Sequence, residues 1–165
     1  MLLAILSDTH DRYGIMGAAV RALKARGAEF FIHCGDVCVP HLLDHLAGLP
    51  SAFVFGNCDG DRQSLACYAE SIGVACHNNF AELELGGKKI AVTHGDDERR
   101  LYQAIDSGGF DYVFHGHTHV RRDVYMGSTR VINPGALHRA IVKTAALLDT
   151  EKDLLEFISF AAPKE

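Results

Sequence analysis

The apolar residues of this chain gather in short unbroken runs that stop at polar turns. Leu2–Leu6 ends at Ser7-Asp8-Thr9-His10, 29–34 ends at Gly35-Asp36, and 52–55 ends at Gly56-Asn57-Cys58-Asp59. Unbroken runs of this length suit strands covered on both faces. Over 15–26 the pattern turns helical, with Val20 and Leu23 set among Arg21, Lys24 and Arg26, and Gly27 closes the segment. Pro40 opens a shorter helix through Leu46, and 63–71 reads as another.

The second half changes character. Phe80–Leu85 alternates apolar residues with Glu82 and Glu84, turns at Gly86-Gly87 and returns through Lys88–Thr93, which predicts a β-hairpin. The return ends at His94-Gly95-Asp96, a helix is predicted over 98–105, and a run ending at Phe114 leads into His115-Gly116-His117-Thr118-His119. If the backbone stays extended there, the three imidazoles project to one face, because side chains on a strand alternate. Segments 123–125, 129–132, 142–149 and 154–160 read as antiparallel strands. Repeated alternation of strand, polar turn and helix predicts a largely parallel sheet, whose ligands bind at the carboxyl ends of the strands. The expected fold is α/β, two sheets face to face with helices outside, in a single domain across 1–165.

Composition narrows the function classes. The 165 residues are 48% hydrophobic and 22% charged, ordinary for a globular protein. A formal net charge of -5 and no Lys/Arg tract argue against a long nucleic acid as partner. No segment approaches the ~20 apolar residues that a membrane-crossing helix needs. Five cysteines without scaffold spacing, behind a start that lacks a basic leader, point to a reducing cytoplasm. Cys34 and Cys38 with His41 and His45 do not suit a zinc finger, because the gap between the pairs is too short. Cys67 and Cys76 are expected as buried small apolar residues.

Five strand ends therefore carry Asp8-x-His10, Asp36, Asn57, His94 and His117-x-His119. Each alone has an ordinary reading as a cap, a turn former or a core histidine. Together they form an oxygen and imidazole donor set that suits manganese, zinc, iron or nickel. The ordered blocks Asp8-x-His10, Gly35-Asp36, Gly56-Asn57-x-Asp59, His94-Gly95 and Gly116-His117-x-His119, with Asn133-Pro134-Gly135 after them, resemble those of calcineurin-like metallophosphoesterases, in particular the small phosphodiesterase branch.

That resemblance implies a four-layer sandwich of two mixed β-sheets flanked by helices. It implies two divalent cations, one held by Asp8, His10, Asp36 and His119, the other by Asp36, Asn57, His94 and His117, with Asp36 shared. Manganese is the metal it implies first, and nickel, iron and zinc suit the same donors. The implied reaction is hydrolysis of a phosphate ester, foremost a small phosphodiester, by in-line attack of a hydroxide held between the cations. A homodimer is the family-typical assembly. Alternatives on the same fold are a phosphomonoesterase, a nuclease, or a non-catalytic interaction scaffold similar to the retromer subunit, against which the retained histidines speak.

One position departs from the pattern. Much of the superfamily has Gly-Asn-His where this chain has Cys58, and that histidine is held to protonate the leaving group or contact the phosphate. Asn57, Cys58 and Asp59 are thus the catalytic-loop candidates, with Asp59 expected to orient the loop. Arg12 and His138 are expected to reach substrate from the rim, and His115 to be packed rather than ligating.

Overall fold

The computed structural model describes residues 1–161. In chain order its first half holds β1 (Leu2–Leu6), α1 (Tyr13–Ala25), β2 (Phe30–His33), a 3-10 segment (Pro40–Leu46), β3 (Ser51–Phe53), α2 (Arg62–Ser71) and β4 (Ala75–Cys76). Next come the hairpin β5 (Phe80–Leu85) and β6 (Lys88–Thr93), then α3 (Glu98–Asp106) and β7 (Tyr112–Phe114). Last are β8 (Arg122–Met126), β9 (Thr129–Asn133), β10 (Lys143–Asp149) and β11 (Leu154–Phe160). One mixed sheet has the order β11-β10-β1-β2-β3-β4 and the other β5-β6-β7-β9-β8. β1 to β4 pair in parallel and β10 joins β1 antiparallel, while β7 lies parallel between β6 and β9.

Side-chain alternation in the strands builds the layers. In β1, Ala4 and Leu6 pack with Met16, Ala19 and Leu23 of α1, while Leu3 and Ile5 pack with Ile90, Phe114 and Ile132 of the second sheet. The outer face of that second sheet buries Ala91, Val113 and Val131 against Leu101, Ala104 and Ile105 of α3. The order is helices, sheet, sheet, helix, as the resemblance implied. Each large apolar side chain buried this way contributes about 1.5–3 kcal/mol. Among the described residues no helix is long and apolar enough to cross a membrane.

Local departures from the sequence reading have simple causes. The short helix after Pro40 is 3-10 rather than α, a form suited to brief connectors. Two-residue β4 is too short to show alternation. Cys67 is exposed and Cys76 only partly buried. α2 buries Leu65 and Ala69, four residues apart, so Cys67 falls on the opposite face.

A polar latch ties the β10–β11 turn to the second sheet. Arg130 on β9 donates two hydrogen bonds to Asp123, at 2.8 and 3.0 Å, and one at 2.7 Å to the Asp153 carboxylate. The same carboxylate accepts from Tyr112 at 2.7 Å and from Tyr125. Removing one carboxylate from such a network leaves two phenols and a largely buried guanidinium short of an acceptor. Asp153→Ala is expected to lower stability by about 1–2 kcal/mol, allowing for the partial exposure of the pair, as read from a urea midpoint. An unchanged midpoint would show the latch to be ornamental.

Candidate metal centre

The polar strand ends meet at one edge of the sandwich, and their backbones are held in an unusual way. Asp8, His10, Asp36, His117 and His119 all sit at positive φ, at 53°, 53°, 60°, 67° and 59°. A residue with a Cβ gives up about 1–2 kcal/mol in that region. Cross-loop hydrogen bonds hold them there: Asp8 N to Gly35 O at 3.1 Å, His10 N to Asp36 O at 2.8 Å, Gly116 N to His94 O at 2.8 Å and His138 N to Asp8 O at 3.0 Å. The expectation that His115, His117 and His119 share a strand face is corrected here. β7 ends at Phe114, and the turns at 117 and 119 send the three rings to different places.

Room for the carboxylates comes from glycines. A Cβ on Gly56 would stand 2.1 Å from Asp36 Oδ1, and one on Gly116 would stand 2.6 Å from Asp8 Oδ2. Asp8 Oδ2 accepts from Ser7 Oγ at 2.6 Å and from His117 N at 3.1 Å. Its other oxygen, Oδ1, is buried without a hydrogen-bond partner, 3.1 Å from His119 Nε2 and 3.9 Å from His94 Nε2. Asp36 Oδ1 accepts from Cys58 N at 2.8 Å, and Oδ2 lies 3.4 Å from His94 Nε2 and 3.9 Å from His10 Nε2. His10 Nε2 is likewise buried and unpartnered.

His94 shows what this arrangement asks for. Its Nδ1 lies 2.8 Å from Cys34 O, and a carbonyl only accepts, so Nδ1 carries a proton and, in the neutral ring, the Nε2 lone pair faces the cluster. Asn57 Oδ1 stands 3.1 Å from that Nε2 and 3.0 Å from His117 Nδ1. Burial opposes a charge on His94, but the hydrogen bond to Asp36 and the charges of Asp8 and Asp36 outweigh it and raise its pKa to about 9. Asp36 is held well below the usual carboxylate range, since His94 and the Cys58 amide more than offset its burial. Lone pairs thus converge where a cation fits. Three groups of donors, Asp8-His10-His119, Asp8-Asp36-His94 and His10-Asp36-Cys58, each have ligand atoms within 4.8 Å of one another.

A second tier fixes the donors. Asp59 is buried, and its carboxylate accepts from Asp36 N at 3.0 Å, Gly56 N at 2.7 Å and Cys38 N at 2.6 Å. It clamps two loops together. Cys38 Sγ sits 3.6 Å from His10 Nδ1. His33, fully buried, accepts from Gly35 N through Nδ1 at 3.2 Å, which leaves its Nε2 to donate to Thr9 Oγ1 at 2.6 Å, between the two candidate ligands of the first loop. Cys38 was expected near the site without binding; His33 did not stand out in the sequence, although it lies three residues from Asp36.

The remaining candidates separate. His115 is buried with Nδ1 3.1 Å from Gly116 O, clear of the cluster, as expected. Arg12 and His138 line one cavity, and the His138 ring stands 5.4 Å from that of His10. Cys58 is exposed, and partial burial with the nearby Asp36 carboxylate pushes its thiol up, so it is protonated at neutral pH.

A calcineurin-like phosphoesterase superfamily domain matches residues 1–153. A phosphodiesterase of Methanocaldococcus jannaschii is 32% identical over 157 residues, 92% of this chain and 95% of that protein. A probable metallophosphoesterase of the same organism is 31% identical over 169 residues, 93% of this chain and 78% of that one. The solved structure of an archaeal phosphodiesterase superposes with a TM-score of 0.91 at 31% identity, covering 97% of this chain and 100% of that one. Vps29 of Entamoeba histolytica, solved with zinc, shares the fold at a TM-score of 0.68 and 19% identity, covering 98% and 100% of the two chains.

The buried histidines set an acid limit. Burial pushes His33 down to about 3 and His115 down to about 4. The unfolded chain takes up protons on both near pH ~6.5 while the folded chain does not, so their contribution is complete above ~6.5 and shrinks as pH falls toward the folded values. The loss is on the order of 1.4 kcal/mol per pH unit for each histidine. His94 has the opposite sign in the metal-free protein, its contribution being lost as pH rises from ~6.5 toward 9, and it is constant in the acid window. Urea unfolding of the metal-free protein between pH 6.5 and 5 is expected to weaken accordingly, and His33→Gln to remove about one proton from the slope. A slope unaffected by that substitution would contradict the assignment.

Proposed function

The chain belongs to the calcineurin-like phosphoesterase superfamily and is a metal-dependent phosphoric-ester hydrolase, and we propose that it hydrolyses small phosphodiesters with a pair of divalent cations, manganese first among them. One observation carries this reading. Asp8, His10, Asp36, His94 and His119 bring ligand atoms together in groups within 4.8 Å, Asn57 Oδ1 links His94 to His117, and the buried atoms Asp8 Oδ1 and His10 Nε2 have no hydrogen-bond partner. Buried polar atoms in that condition are costly unless a ligand satisfies them.

Asp8, His10 and His119 would hold one cation, and His94, Asn57 and His117 the other. Asp36 stands between, since its Oδ2 lies within 3.9 Å of both His10 and His94. Bound there, two divalent cations supply charge neutralisation on the phosphate and activation of water. The chain itself supplies orientation. Asp59 and the Cys58 amide keep Asp36 in place, and Asn57 Oδ1 is fixed between two imidazoles. Arg12 and His138 offer cationic and hydrogen-bonding contacts to an incoming phosphate from the cavity beside His10.

Cys58 sets the choice of ester. A neutral thiol is a weak hydrogen-bond donor and a poor acid toward a departing alkoxide. Diesters with good leaving groups suit such a site, in line with the phosphodiesterase relative. The full histidine set favours catalysis over a purely scaffolding role, and the acidic chain favours small substrates over polynucleotides.

Purified protein is expected to hold about two divalent ions per chain and to cleave bis-p-nitrophenyl phosphate best with manganese when Mn, Ni, Zn and Mg are compared. Asp36→Asn is expected to cost at least about 100-fold in kcat/KM. Full metal content with no hydrolysis under any of the four ions would instead favour a scaffold. Cys58→His is expected to flatten the dependence of rate on leaving-group pKa, with about tenfold or greater gain on alkyl esters. The same slope in both proteins would remove Cys58 from the account.

A further inference from the structure

Two cavities flank the proposed centre, and they differ in what their cations are doing. In the one of about 550 Å3 bounded by Arg62 and Arg100, the Arg62 guanidinium is spent on Asn79 Oδ1 at 2.9 Å, Gly56 O at 3.1 Å and Asp59 O at 3.2 Å. It braces the Asn57 loop. The other, of about 570 Å3, lies between the start of α1 and the loop after β9 and is edged by Asp11, Arg12, Tyr13, His138, Arg139 and Lys143. It abuts the centre at His138, 5.4 Å from the His10 ring.

Three cations here face one carboxylate, and that carboxylate, Asp11, pairs with Arg12 at 3.5 Å. Among the described residues, no carboxylate lies within 4.0 Å of Arg139 or Lys143. In a chain of net charge -5 this wall reverses the local sign. Arg139 is also held at φ 55°, where glycine would sit without strain, on a loop anchored by His138 N to Asp8 O at 3.0 Å and Thr144 N to Ala136 O at 3.1 Å. Ile15 and Leu137 form an apolar wall, and the Tyr13 ring is partly open to solvent.

From this geometry we infer that the cavity is a subsite for a second anionic group, so that the preferred substrate is a diester whose retained half carries a further phosphate, with the organic part between the two phosphates lying against Tyr13. Arg139 and Lys143 are its specificity-determining residues. The inference rests on the hydrolysis proposed above and narrows its substrate class. Charge-assisted bonds from a guanidinium and an ammonium to one phosphate account for discrimination of about tenfold or more against the same diester without it.

The test compares the p-nitrophenyl ester of thymidine 5′-phosphate with and without a 3′-phosphate, using manganese-loaded protein. The 3′-phosphate is expected to raise kcat/KM about tenfold, mainly through KM, and that ratio is expected to collapse toward one in Arg139→Gly and Lys143→Ala. Arg139→Gly relieves the left-handed backbone, so folding is not at stake in that variant. Arg99→Ala, an exposed cation on α3, is the control for general charge and is expected to keep the ratio. Equal kcat/KM for the pair, a ratio that survives both variants, or an equal loss in the control would overturn the subsite while leaving the hydrolase reading intact. If neither ester is cleaved with any metal, the hydrolase reading fails instead, and calorimetry on the metal-free protein decides the subsite. Thymidine 3′,5′-bisphosphate is then expected to bind about tenfold tighter than thymidine 5′-phosphate, and equal affinities would refute it.

Discussion

Lone pairs buried face to face are the constraint around which this molecule is arranged. Asp8 and Asp36 are 0% and 2% exposed, their oxygens point toward the imidazole nitrogens of His10, His94 and His119, and two of the atoms involved have no hydrogen-bond partner. In a low-dielectric surrounding such a cluster is unfavourable unless positive charge sits inside it. His94 feels the same pull: burial disfavours its charge, yet Asp36 and Asp8 draw the ring toward its charged form. A divalent ion answers the same demand with more charge and more lone pairs satisfied. The site and the stability of its loops are therefore coupled through the cation.

The scaffold accepts this arrangement because it confines the cost to a few turns. The sheets themselves are ordinary, with alternating side chains and parallel strands whose carboxyl ends all reach one edge. Strain is placed immediately beyond those ends, where Asp8, His10, Asp36, His117 and His119 take up left-handed backbone and aim inward. Asp59 illustrates how the turns are kept from relaxing. Its single carboxylate holds three amides from two loops, so the catalytic-loop candidate acts on the donors rather than on a substrate. Glycines at 56 and 116 complete the arrangement by leaving space that a methyl group would fill.

Much of this was legible in the chain, for identifiable reasons. Buried parallel strands leave unbroken apolar runs, and candidate ligands placed just past them stand out as polar residues at every run's end, so Asp8, His10, Asp36, Asn57, His94, His117 and His119 were all nameable, and their side chains come together. Local periodicity misjudged what happens after a strand stops. Extending β7 through the histidines put three rings on one face, whereas positive φ at 117 and 119 turns them apart, and no side-chain pattern announces a left-handed turn on histidine. Cys67 was misplaced because a cysteine's burial depends on which helix face it occupies. His33 was passed over because its role arises from a partner far away in sequence, Thr9, whereas Cys38, expected near the site without binding, lies beside His10.

The proposed chemistry rests on two cations sharing Asp36. Crystals grown with manganese and measured at its absorption edge would show it most directly. Two anomalous peaks are expected, one within coordination reach of Asp8, His10 and His119, the other of Asn57, His94 and His117, with Asp36 touching both. A single peak, or none in crystals saturated with the ion, would contradict it.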